Sequence, residues 1–148
     1  MRQVHESFVA LGSAEPRDRE VAAAELGDLL RGGGLDAATT ERAVARLVEV
    51  AVEDSDRDVV EEALHAIGEV HEVPLRLVLP LTRRMPGWDE HLLDHALAIL
   101  ACTHDPAAKA LVEAYADHPH PGVRRSAAEA LVELPGRQVD AGSEARTS

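Results

Sequence analysis

The residues with the clearest capacity for chemistry are histidines in the second half of the chain. His91 and His95 lie four positions apart with Asp94 between them, and on a helix this spacing can bring two imidazoles to one metal ion. No clear third ligand accompanies them, so solvent-facing and capping histidines are the favoured interpretation, and neither a metal nor another cofactor is predicted. The alternative is a small-molecule or metal-dependent enzyme, for example in a biosynthetic pathway, built on five histidines: His91, His95, His104, His118 and His120.

The net charge of the chain indicates which classes of molecule can be its partners. The 27 acidic and 15 basic residues give a formal net charge of −12. A nucleic-acid site normally shows a basic stripe, and an acidic surface repels the phosphate backbone, so no nucleic acid is expected as a partner. No segment approaches the roughly 20 apolar residues of a membrane span, so no membrane partner is expected either. A protein that carries positive charge is the more natural complement.

Charge is also unevenly distributed along the middle of the chain. Residues 53–72 contain eight acids and a single cation, Arg57. The next charged residues are Arg76, Arg83 and Arg84, with no acid until Asp89. A solvated helix face explains the acidic run most simply. The functional alternative is an acidic ridge beside a basic groove, which would orient a charged protein partner.

Residues 73–85 carry more apolar side chains than one helix face can bury. A core-facing side can hold Leu75, Val78 and Leu79, which leaves other apolar residues outside it. The only tryptophan follows closely, and tryptophan and arginine are enriched in binding hot spots. The predicted partner-binding site therefore consists of Arg76, Leu77, Leu81, Arg83, Arg84 and Trp88. The alternative is a central helix that is packed on both sides by its neighbours.

A repeated pattern of small and apolar residues predicts the elements that position these side chains. Four copies occur, at residues 20–30, 56–70, 89–103 and 120–134. When the second and fourth copies are superposed, Val59 falls on Val123 and Ala63 falls on Ala127. Successive copies are 31 to 41 residues apart, which suits one pair of helices per repeat. Aromatic residues make up only 2% of the chain, so the core must come from alanine, leucine and valine in closely packed helices.

The partner helices are expected between these copies, at residues 3–11, 36–52, 73–85 and 105–116. Asp36 is the expected N-cap of one of them, and Pro80 is expected to kink another. The predicted fold is all-α, with seven to eight helices in a single domain over residues 1–135. Residues 136–148 have almost nothing to bury and are predicted to form a flexible tail.

The copies resemble the HEAT repeat, most closely its short bacterial variety found in phycobilisome-lyase-like proteins. That family has a loop of the form D-P-D-P-x followed by V-R-x-x-A-A-x-A-L-G. Residues 54–59, DSDRDV, match the loop, but Val60 stands where the family has arginine. The last copy has the arginine, Arg124, while His118 and His120 replace the two acids. The resemblance implies a short right-handed α-solenoid of HEAT-like helix pairs.

Some HEAT-type solenoids are enzymes, notably deoxyhypusine hydroxylase, whose iron ligands are His-Glu pairs within the repeat helices. The pairs at residues 5–6 and 71–72 lie outside that register, which disfavours a di-iron site. The function expected from the sequence is therefore a non-catalytic protein–protein interaction module, as an adaptor, regulator or immunity-type protein that presents a concave surface of second helices. The single cysteine, Cys102, and the lack of a recognisable signal peptide indicate the cytoplasm.

Overall fold

Eight α-helices account for most of the chain between residues 2 and 134, the part that the computed structural model describes. They are α1 (Arg2–Ala10), α2 (Pro16–Gly32), α3 (Ala37–Glu53), α4 (Arg57–Ile67), α5 (Leu75–Val78), α6 (Glu90–Ala101), α7 (Ala108–Glu113) and α8 (Pro121–Glu133). Two short 3₁₀ helices, Leu79–Arg83 and Met85–Gly87, follow α5. Since no strand occurs in this part of the chain, the prediction of an all-α fold with seven to eight helices is confirmed.

Two expectations concern the limits of the fold. The predicted flexible tail, residues 136–148, lies outside the described residues. Among the helices from residue 2 to residue 134, none combines the length and the apolar composition that crossing a lipid bilayer requires.

Aspartate side chains determine where three of the helices begin. Asp36 accepts a hydrogen bond from the backbone N–H of Thr39 at 2.7 Å, which confirms it as the N-cap of α3. Asp56 and Asp89 accept in the same way from first-turn N–H groups of α4 and α6, at 2.9 to 3.2 Å. Gly33 follows α2 in the left-handed conformation, with φ of 72°, and so ends that helix where a side chain would be strained.

The second helix of each repeat packs on the second helix of the next. Thus α2 packs on α4, α4 on α6 and α6 on α8, while α1, α3 and α7 pack on α2, α4 and α8 respectively. The segment from α5 through the 3₁₀ helices packs on both α3 and α6. The result is a short right-handed α-solenoid of helix pairs. We call the stack of α2, α4, α6 and α8 the ladder, and its solvent side the ladder face.

Small residues lie where the ladder helices meet. Four alanines at equivalent repeat positions are at most 1% exposed: Ala22, Ala63, Ala96 and Ala127. Gly27 on α2 approaches α4 so closely that a Cβ atom there would lie 3.2 Å from both the Cα and the Cβ atoms of Ala66. Leucines and isoleucines such as Leu26, Ile67 and Leu100 fill the space between the helices and are fully buried.

The central segment differs from the kinked helix predicted over residues 73–85. A single α-helical turn, α5, changes at Leu79 into a 3₁₀ helix with Pro80 in its first turn. Side chains three residues apart align in a 3₁₀ helix, so Val78 and Leu81 lie on the same side and are both buried. Met85 is buried as well, whereas Leu79 is 43% exposed. The expectation that Leu79 faces the core and that Leu81 lies at the surface is therefore wrong.

The helix predicted over residues 105–116 is shorter than expected. Asp105 closes a turn at its start, because its carboxylate accepts from the N–H of Ala107 and its carbonyl accepts from the N–H of Ala108, both at 2.9 Å. The α-helix proper begins only at Ala108, and turns follow it after Glu113.

The buried alanines generate a matched test of the register. Ala127→Leu places a larger side chain in the contact of α8 with its neighbours and should lower the free energy of unfolding by about 1 to 3 kcal/mol, as overpacking does. Ala128 is exposed on the same helix, so Ala128→Leu should change it by less than about 0.5 kcal/mol. Chemical denaturation of both variants measures the difference. Equal stability of the two would contradict the packing described here.

Candidate protein-binding surface

The first groove on the ladder face is strongly acidic. It lies where α2, α4 and α6 meet and is lined by Glu20, Asp58, Glu61, Glu62, His65 and His95. Four of these six side chains are carboxylates, and none is a lysine or an arginine. Like charges gathered in one concave surface create a negative potential that attracts cations. We call this site the acidic groove.

A second groove on the ladder face lies between α6 and α8. Its floor is formed by small residues, Ala98, Ala101, Cys102 and Ala130, and its acids are Asp94, Glu129 and Glu133. The hydroxyl of Ser126 donates a hydrogen bond to Asp94 at 2.6 Å across the two helices. We call this site the alanine groove. It combines an apolar floor with negatively charged edges.

Cys102 in the alanine groove is not activated as a nucleophile. Burial raises the pKa of its thiol, and the negative charge of Glu133 raises it further. The thiol therefore stays protonated at neutral pH, and the groove has the character of a binding surface.

The helical register places these side chains together. On α4 the core takes Val59, Ala63 and Ile67, and the intervening positions at Asp58, Glu62 and His65 point toward the groove. The same spacing on α6 and α8 provides the lining of the alanine groove. The acidic ridge considered for residues 53–72 contains three carboxylates of the acidic groove, Asp58, Glu61 and Glu62, but the two grooves were not predicted. The exposed positions between the aligned core residues, compared from copy to copy, are the pattern that indicates them.

His65 and His95 stand side by side in the acidic groove. Their rings meet edge to face with centroids 5.9 Å apart. Each also faces a carboxylate, with His95 Nε2 at 3.7 Å from Glu61 and His65 Nδ1 at 3.8 Å from Glu62. His91, by contrast, is 71% exposed and lies beside Glu90. The spacing of four residues between His91 and His95 thus does not bring both of them into one site.

His118 and His120 hold the turn before α8. The Nδ1 atom of His120 accepts from the N–H of Gly122 at 3.0 Å, and the Nδ1 atom of His118 accepts from the N–H of His120 at 3.0 Å. Asp54 and Asp56 form the same pair of hydrogen bonds before α4, at 2.9 Å each. The two histidines therefore replace the two acids in the same structural role, which agrees with the favoured interpretation of turn residues.

The five histidines of the enzyme hypothesis are placed in separate surroundings. His95 lies in the acidic groove, His91 is exposed on α6, His120 caps α8, and His118 lies in the turn before it. His104 follows α6 with a positive φ of 51°. Within residues 2–134, no group of three or more His, Cys, Asp or Glu side chains has the arrangement to hold a metal ion.

Two arginine–aspartate pairs join successive repeats beside the grooves. Arg19 on α2 donates to both carboxylate oxygens of Asp54, at 2.7 and 3.0 Å. Burial alone raises the pKa of Asp54, but the hydrogen bonds from Arg19 and from the N–H of Asp56, with the charge of Arg19, outweigh it and lower the pKa. Arg57 on α4 binds Asp89 in the same bidentate way, at 2.8 and 3.2 Å.

The predicted partner residues of the central segment have different positions. Arg76, Arg83 and Arg84 are exposed, and Arg76 forms an ion pair with Glu41 at 2.9 Å. Leu77 is partly buried and lines a groove between this segment and α3. Trp88 packs partly against the core, immediately before the cap of α6. Leu81 is fully buried and offers no surface to a partner, because the 3₁₀ helix turns it inward.

Comparison with known proteins yields structural neighbours only. No protein-family model matches the chain, and no curated protein matches it. An engineered protein of known crystal structure superposes with a TM-score of 0.70 and 18% identity over 90% of this chain and 63% of its own. A designed armadillo repeat protein in complex with the peptide (KR)4 gives a TM-score of 0.68 and 16% identity over 86% of this chain and 62% of its own. A further engineered protein gives 0.67 and 19% identity, over 90% of this chain and 38% of its own.

These likenesses define the class of protein as an all-α helical-repeat protein. The chain spans about three fifths of the length of the first two neighbours and less of the third. At these levels of identity the similarity shows the fold alone. The chemistry of the ladder face has to be taken from the residues of this chain.

The cap of α8 yields a prediction about His120. His120→Ala removes the acceptor for the N–H of Gly122 and should lower the free energy of unfolding by about 1 kcal/mol. His120→Asp supplies a carboxylate at the same place and should preserve stability. His91→Ala is the control, since His91 caps nothing. Urea denaturation of the three variants measures their stability. Equal stability of the alanine and aspartate variants at position 120 would contradict the capping role.

A second prediction concerns the pH dependence of stability. Hydrogen bonds from Arg57 are the main reason that the pKa of Asp89 falls to about 2. Because the folded pKa lies below the unfolded value of about 3.9, the stabilisation is complete above pH 4 and is lost as pH falls toward 2. Asp89 is 41% exposed, so screening reduces the contribution to about 1 kcal/mol.

The measurement compares wild type with Asp89→Asn by urea denaturation at several pH values. The asparagine variant should be less stable at pH 7 and approach wild type near pH 2.5. Glu113→Gln, an exposed change on α7, should show no such convergence. A stability difference between wild type and Asp89→Asn that stays constant with pH would contradict the assignment.

Proposed function

We propose that this protein is a non-catalytic protein–protein interaction module that binds a positively charged segment of another protein along the ladder face. We further propose that it is a cytoplasmic adaptor, regulator or immunity-type protein that consists of HEAT-like repeats and comes from a bacterium. The match of residues 54–59 to the HEAT loop and the single cysteine support those details.

The acidic groove carries the proposal. Four carboxylates and no arginine or lysine line one concave surface, and this surface continues over α6 to the alanine groove. Two of the four carboxylates are paired with arginines outside the lining, Glu20 with Arg17 at 3.6 Å and Glu61 with Arg57 at 2.7 Å, and Asp58 lies 4.0 Å from Arg57. Glu62 is therefore the carboxylate best placed to pair with a partner. Carboxylates pair with guanidinium and ammonium groups through charge-assisted hydrogen bonds. The net charge of −12 adds long-range attraction for a basic segment and accelerates its association.

The alanine groove can accommodate the aliphatic part of a lysine or arginine side chain. Lysine and arginine bury their aliphatic stems along apolar surface and keep the charged end in water. Small floor residues such as Ala98 and Ala101 leave space for such a stem, and Glu129 and Glu133 stand at the edge to meet the charge. An extended segment with alternating basic residues would therefore contact successive grooves.

The designed armadillo repeat protein among the structural neighbours supports this mode of binding, since its structure is a complex with (KR)4. The shared fold provides a regular stack of helices. In this chain the specificity for positive charge is assigned to its own acids on the ladder face.

The proposal predicts that a fluorescein-labelled (KR)4 peptide binds the protein and that binding weakens as salt rises. Glu62→Gln in the acidic groove and Glu129→Gln in the alanine groove should each weaken binding by about threefold, as the loss of one partly exposed charge pair does. Fluorescence anisotropy at fixed ionic strength measures the affinities.

Glu113→Gln is the matched control, because it makes the same change of net charge at an exposed position on α7, away from the ladder face. Its affinity for (KR)4 should equal that of wild type. An equal loss in all three variants would show attraction to the total charge alone, and no binding of (KR)4 at low salt would overturn the proposal.

A further inference from the structure

A second exposed surface of opposite character lies on α5 and the 3₁₀ helix that follows it. It is lined by Arg76, Leu79, Pro80, Thr82 and Arg83, and we call it the Leu79 patch. No acidic residue lines it. Leu79 is 43% exposed, although large apolar side chains of a monomeric domain are more often buried. The patch shares no lining residue with either groove of the ladder face.

The two arginines of the Leu79 patch differ in their partners. Arg76 is tied to Glu41 on α3 at 2.9 Å. The guanidinium of Arg83 makes no hydrogen bond or ion pair with any residue between 2 and 134, in a chain that has 27 acids. An exposed guanidinium beside an exposed leucine provides both parts of a small binding site, a charge that can be paired and an apolar area that can be covered.

The residues on the two sides of Pro80 determine from which side a negatively charged group can reach Arg83. On the α3 side lies another groove, which Arg76 and Arg83 also line but in which they are joined by Glu49 and Glu53. A carboxylate that enters there meets two like charges besides the arginines. On the Leu79 side the same two arginines are the only charged lining residues, so a negatively charged group is better accommodated on that side.

We propose that the Leu79 patch binds a short acidic segment of another protein, with an apolar side chain over Leu79 and Pro80 and a carboxylate paired with Arg83. Complementary charge selects the segment, and the apolar contact supplies the buried area. A second copy of the chain is disfavoured as the occupant, because two copies each carrying −12 repel one another as a whole. A short segment brings few charges, and those far from the patch are screened beyond about 8 Å at physiological salt.

The experiment uses an array of all octapeptides built from glutamate and leucine, probed with the labelled full-length protein. The corresponding glutamine–leucine array, which keeps the side-chain size and removes the charge, is its control and should bind more weakly. Some glutamate–leucine peptides should bind, and the strongest of them is then synthesised for anisotropy measurements. Arg83→Glu and Leu79→Ser should each weaken its binding by about fivefold or more, since each removes a contact and the first also adds repulsion.

Arg125→Glu is the matched control. Arg125 is exposed on α8, outside the patch, and its substitution changes the net charge by the same amount as Arg83→Glu. It should leave the affinity for the glutamate–leucine peptide unchanged, and thermal melts should show all three variants folded. Equal weakening by Arg125→Glu, or no glutamate–leucine peptide bound, overturns the proposal. So does sedimentation that shows a dimer of the protein which Arg83→Glu dissociates, because the occupant is then a second copy.

Discussion

The close approach of successive ladder helices is the constraint on which the rest of the structure depends. A Cβ atom at Gly27 would lie only 3.2 Å from Ala66, so a methyl group there would require its neighbours to give by a few tenths of an ångström, and alanines recur at another set of equivalent buried positions along the ladder. With almost no aromatic side chains, the core reaches native density only if backbones come close together. Short distances between helices also bring their exposed rows together. The acidic groove and the alanine groove are therefore consequences of how the core is packed.

Ion pairs and caps hold the repeats in line where the helices begin. The bidentate pairs Arg19–Asp54 and Arg57–Asp89 connect α2 to the start of α4 and α4 to the start of α6. Val60 is buried, and Arg57, three residues earlier on α4, forms the ion pair with Asp89.

Local interactions explain which features could be predicted from the sequence. Asp36 was identifiable as a cap because capping involves only the next few residues, and the alanine repeat predicted the ladder because burial follows helical period. The central segment could not be predicted in the same way, since its 3₁₀ geometry follows from Pro80 together with the burial of Leu81 and Met85 against distant residues. The grooves escaped prediction because each is formed by helices from different repeats, and the separation between those helices is a tertiary property.

The two proposed surfaces should attract their partners over different distances. One has the same sign as the net charge of the protein, and the other has the opposite sign. The ladder face has the sign of the net charge, so a basic segment is attracted from a distance and oriented before contact. The Leu79 patch opposes the net charge, and its arginines act only within a screening length of the surface. Its occupant must be held mainly by contact with Leu79 and Pro80, with Arg83 selecting for an acid. Association of a basic segment with the ladder face should therefore be fast and sensitive to salt, whereas the affinity of an acidic segment for the Leu79 patch should depend mainly on slow dissociation from the apolar contact.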